Sequence, residues 1–126
     1  MTAQELADAI GTDLVRGVHE RGGRTFIVTR FEYLNGDSIP LYPESRGGEV
    51  FVSDLGTTMF ACLLRRRESA DRLSESIRDA CERHGVIFDQ GVLRKRVRPD
   101  DARADCLAFC QAATDVSRRW GGGGLG

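Results

Sequence analysis

Three carboxylates stand where a chain reverses direction: Asp37 after an Asn-Gly pair, Glu49 at a strand start, and Asp54 before a helix. Such a trio can hold a divalent cation for phosphodiester cleavage. A nuclease layout would add a lysine two residues after Glu49, and Phe51 stands there instead. Each acid also has a local role, with Asp54 as a helix N-cap, Asp37 in the turn and Glu49 solvated. A cap alone predicts about 1 kcal/mol lost for Asp54→Ala and little for Asp54→Asn.

Cys81, His84, Cys106 and Cys110 form two spaced pairs of zinc-competent ligands. Cys106 and Cys110 are four apart on an expected helix, too far for an intrahelical disulfide. They share an apolar stripe with Phe109 and Ala113, where cysteine acts as a small hydrophobe. The reading is therefore four reduced core thiols, with no metal and no cofactor. His19 and His84 both precede glycines at expected helix ends, and no nucleophile motif accompanies them. No catalytic residue is assigned.

The remaining chemistry is arginine. Arg94, Arg96 and Arg98 alternate along a strand and would project from one face. Arg65, Arg66 and Arg67 would extend that surface from the end of a helix. Such a ladder suits carboxylates on a partner as well as phosphates, unless it pairs internally with Glu32, Asp37 or Glu49.

The elements that must position these side chains follow from pattern. Thr2 and Glu5 form a capping box, and Leu6, Ile10, Leu14 and Val18 continue as one helical stripe to Gly22-Gly23. Residues 25–34 are β-branched and aromatic, and Asn35-Gly36 turns them into a return strand from Ser38 to Tyr42. Pro40 requires that return strand to be bulged or paired on one side only. Gly47-Gly48 leads into a strand from Glu49 to Ser53, then a helix from about Gly56 to Arg66 burying Met59, Cys62 and Leu63. A third helix capped by Ser69 aligns Leu73, Ile77, Ala80, Cys81 and His84. Asp89-Gln90-Gly91 closes a second hairpin, and Pro99-Asp100-Asp101 opens a last helix with Ala102, Cys106, Phe109, Cys110, Ala113 and Val116 inward. The order is α-βββ-αα-ββ-α, an α+β fold with a small antiparallel sheet. It forms one domain over residues 1–120, with a flexible glycine-rich tail at 121–126.

The stretch Tyr33-Leu34-Asn35-Gly36-Asp37-Ser38-Ile39, followed by Gly48-Glu49-Val50-Phe51-Val52-Ser53-Asp54-Leu55-Gly56-Thr57-Thr58, resembles the bacterial family called domain of unknown function 1828. The resemblance spans about residues 3–118 and departs at Pro40 and at Ser53, where the family favours threonine. It implies a setting of phages and mobile elements, and no established activity comes with it.

The 126 residues carry 18 Lys+Arg against 19 Asp+Glu, a net charge of -1, which excludes a strongly basic nucleic-acid binder and an acidic phosphate mimic alike. Residues 1–63 hold five arginines and nine acids, whereas 64–126 hold thirteen basic residues and ten acids. No run reaches the ~20 apolar residues of a membrane span, and the start has no signal-peptide layout. The expectation is a cytoplasmic, non-enzymatic regulatory module, such as an inhibitor of a host defence complex. It would bind a protein with an acidic face rather than nucleic acid. The alternative is a metal-dependent enzyme or accessory factor acting on nucleic acid through Asp37, Glu49 and Asp54.

Overall fold

The computed structural model describes residues 1–63 and 70–121. The fold is α+β, with the order α1 (Ala3–Ile10), β1 (Val15–Arg21), β2 (Arg24–Glu32), β3 (Ser38–Arg46), β4 (Glu49–Ser53), α2 (Thr57–Leu63), α3 (Ala70–Glu82), β5 (Ile87–Asp89), β6 (Val92–Val97) and α4 (Ala102–Val116). A short 3-10 turn leads into α4 and a π turn follows it. The Ser69 cap and Arg65, Arg66 and Arg67 lie outside the described residues, as do the side chains of Leu63 and Leu73.

The first helix is shorter than its apolar spacing suggests. Thr2 and Glu5 make both bonds of the capping box, each 3.1 Å. Gly11 then takes φ +107°, a conformation that breaks the helix after Ile10. Leu14 and Val18 therefore belong not to a helical stripe but to the approach and body of β1, where both pack against the core. His19 sits mid-strand, opposite Phe26, rather than at a helix end. Gly22 and Gly23 both have positive φ and form the two-residue turn from β1 to β2.

All six strands pair antiparallel in one sheet, ordered β1-β2-β3-β4-β6-β5. The central strand β3 has its ladders end to end. Residues 38–41 pair with β2 and residues 42–46 with β4. Pro40 falls in the first stretch and Pro43 in the second, so neither stands where both neighbours demand a donor.

Alternation then assigns the faces. Ile27, Ile39, Leu41, Val52, Leu93 and Val97 point inward and are buried. Helices α1, α3 and α4 pack on that side, against β1 and β2, β5, and β6 respectively. The stripe expected on the last helix, Ala102 to Val116, is buried along its length. On the opposite face, one cross-strand row runs Tyr42–Ser53–Arg94–Ile87 and the next runs Glu44–Phe51–Arg96. The end of the sheet is closed by α2, whose Met59 and Cys62 are buried while Phe60 is 63% exposed.

Candidate functional site

Asp54 ends β4 and starts α2, and its carboxylate serves both. Oδ1 accepts from Gly56 N at 2.8 Å and from Leu93 N at 3.0 Å, while Oδ2 accepts from Thr58 N at 3.0 Å. The Asp54 amide returns a bond to the Leu93 carbonyl, so the side chain continues the β4–β6 pairing past Ser53. Burial pushes the carboxyl up from its ordinary range, while the Thr58 hydroxyl and the three amides pull against it. The Tyr33 hydroxyl lies 2.8 Å from the Thr58 hydroxyl, within hydrogen-bonding distance. It also shares a hydrogen bond with the Thr57 hydroxyl at 2.7 Å. The chain Thr57, Tyr33, Thr58, Asp54 locks the start of α2 to the sheet.

The three carboxylates of the metal reading do not converge. Asp37 is exposed and bonded to Asn35 within the turn. Glu49 is paired with Arg96 at the far end of β4 from Asp54, about 17 Å along an extended strand. The zinc reading fares similarly. Cys62, Cys81, Cys106 and Cys110 are buried, and His84 faces Asp115 at 3.7 Å. Among the described residues no three His, Cys, Asp or Glu side chains are grouped to hold a metal ion. Burial pushes the thiols of Cys81, Cys106 and Cys110 up to about 12. All four thiols should therefore stay unmodified by an aromatic disulfide reagent at pH 8 in the native protein. In denaturant all four should react, and rapid native labelling would contradict this packing.

The arginine ladder is only partly a surface. Arg94 and Arg96 do share the face opposite the one on which α1, α3 and α4 pack. Arg94 Nε lies 3.2 Å from Glu44 Oε2, and the two side chains are only 17% and 14% exposed. Arg46 reaches the same Glu44 oxygen, also at 3.2 Å. One carboxylate thus holds two guanidiniums, leaving one unit of positive charge. Arg96 pairs with Glu49 at 3.1 Å and stays 59% exposed. Arg98 leaves the row. It turns toward α4, where Asp105 accepts from its amide at 2.9 Å and from its guanidinium at 3.2 and 3.0 Å. Of the acids expected as cross-sheet partners, Glu49 takes that role, whereas Glu32 pairs with Arg16.

The feature the sequence reasoning missed is a cleft of about 530 Å³ over β1, β2 and β3. Its floor is aromatic: Phe26 stacks on Tyr42 with centroids 4.8 Å apart, and His19 lies 6.1 Å from Phe26. Phe60 and Ala61 of α2 line it, with Tyr33, Thr57, Asn35 and Asp37 also at its wall. The signal was present in the aromatic residues of two facing strands. With residues 15–21 read as helix, however, the strand bearing His19 and Arg21 was absent. Comparison of the chain with family models, with curated proteins and with solved structures returned no match.

Proposed function

We propose that this chain is a small, non-enzymatic binding module that takes a protein partner on the β3–β4–β6 part of the sheet face opposite α1, α3 and α4. The observation that carries this reading is Glu44 held between Arg46 and Arg94, an uncompensated positive charge beside the half-buried ring of Phe51. An aromatic anchor flanked by guanidinium forks suits an acidic loop. The neighbouring Arg96–Glu49 pair is exposed, and such pairs contribute little, so a partner carboxylate can displace Glu49 at small cost. The family resemblance supplies the setting, and an inhibitor of a host defence complex in the bacterial cytoplasm is its concrete form. Among the described residues, no helix is long and apolar enough to cross a membrane. The metal-dependent alternative has less support, because three backbone amides already occupy the Asp54 oxygens.

The test compares wild type with the double substitution Arg46→Ser, Arg96→Ser in affinity capture from the native host, with Arg118→Ser on the helix side as control. Both arginines of the pair are more than half exposed, so the melting curve should be preserved. Partner retention should fall about tenfold in the double variant and stay unchanged in the control. Full retention by the double variant at low salt would show that this face is not the docking surface. Arg94 is left intact, since removing it together with Arg46 would strand Glu44, which is only 14% exposed.

A further inference from the structure

The cleft over β1–β3 has features that the docking reading does not use. Arg21 and Arg24 flank the Gly22-Gly23 turn and are direct cross-strand partners, so their side chains leave the same face. Like charges directly opposite each other destabilise a hairpin. Of the seven arginines on the strands, Arg16, Arg46, Arg94 and Arg96 each have an acid, and Arg30 donates to the Thr12 carbonyl. Arg21 and Arg24 have no such partner among the described residues. The next row along the hairpin, on the same face, is His19 opposite Phe26. Arg21 lines the cleft whose floor is the Phe26–Tyr42 stack, and Arg24 stands directly opposite it across the hairpin.

We propose that this cleft binds a nucleotide, with its base lying on the Phe26–Tyr42 shelf and its phosphate taken by Arg21 and Arg24. Every base has a π-face, so stacking on aromatic side chains is tolerant of sequence. Paired guanidinium forks match phosphate oxygens. Phe60 adds an apolar side chain to the lining. Thr57 also lines the cleft, where its hydroxyl can hydrogen-bond the base edge. A volume of about 530 Å³ lies within the range of small-molecule sites, about 300–1,000 Å³. The bound phosphate also relieves the Arg21–Arg24 repulsion, which gives the opposed pair a physical reason.

The full chain is titrated calorimetrically with AMP, UMP, adenosine, inorganic phosphate and a uridine hexanucleotide. The monophosphates should bind at least about tenfold tighter than adenosine or phosphate alone. Arg21→Ser, at the exposed hairpin tip, should weaken AMP to the level of adenosine. Tyr42→Leu should weaken AMP to the level of phosphate, with melting curves recorded for both variants. A hexanucleotide that outbinds UMP identifies a single strand as the source of the ligand, and equal affinity identifies a free nucleotide. No binding at millimolar ligand, phosphate binding as tightly as AMP, or an AMP affinity unchanged in a folded Arg21→Ser variant would each overturn the proposal.

Discussion

Asp54→Ala will lower the stability of this protein by about 3–5 kcal/mol, several times the cost of losing an ordinary helix cap. The amides of Gly56, Thr58 and Leu93 all spend their protons on this carboxylate, and Asp54 is fully buried. Alanine orphans three donors, and water cannot easily replace the lost acceptor. Asp54→Asn is also costly, contrary to the expectation for a simple cap. An amide keeps one acceptor oxygen, which can serve Gly56 and Leu93 together. Its NH2 then meets the Thr58 amide, donor against donor. Urea unfolding of the three proteins checks the order wild type, Asn, Ala. A loss below about 1 kcal/mol for alanine would mean that the link to Leu93 contributes nothing.

The second large effect belongs to Asp105, which the sequence reading left within the last helix without a role. Asp105→Ala should cost about 1–3 kcal/mol, chiefly because it leaves the Arg98 amide without its acceptor, while the exposed guanidinium keeps Asp101 and water. Burial acts to raise this carboxyl, and the Arg98 donors overcome it, holding the group below its ordinary value. The unfolded chain then binds the proton more tightly than the folded one. The stabilisation is complete above the unfolded carboxyl pKa, about 4, and disappears as pH falls through the lower folded value. Wild type should lose stability over that acid window, and Asp105→Asn should show a shallower loss there. Parallel pH profiles for the two proteins would remove Asp105 from the acid response.

Local chemistry made much of the fold legible. The Thr2–Glu5 box, the Asn35-Gly36 turn, the strand from Glu49 to Ser53 and the Asp89-Gln90-Gly91 hairpin each depend on residues within a few positions of one another. The buried stripe of α4 was legible for the same reason, since Cys106, Phe109 and Cys110 recur at the helical period. The stretch from Gly11 to Arg21 was not. Leu14 and Val18 continue the spacing of Leu6 and Ile10, so periodicity favours helix, and β1 exists because β2 pairs with it along its length. A strand without strong alternation is defined by its partner, which no local window contains.

The site divides along the same line. From the residues alone came the N-cap at Asp54, the four apolar cysteines, the alternation that puts Arg94 and Arg96 on one face, and the candidacy of Glu49 as an internal partner. Tertiary structure decided that Asp54 also holds Leu93, 39 positions away, that Glu44 is shared by Arg46 and Arg94, and that Arg98 turns to Asp105. It also opposed Arg21 to Arg24 and brought Phe26 onto Tyr42 across β2 and β3. The physical reason is range. Caps, turns and helical stripes are set by neighbours within one or two turns of chain. Charge pairing and ring stacking act between side chains that only the register of the sheet brings together.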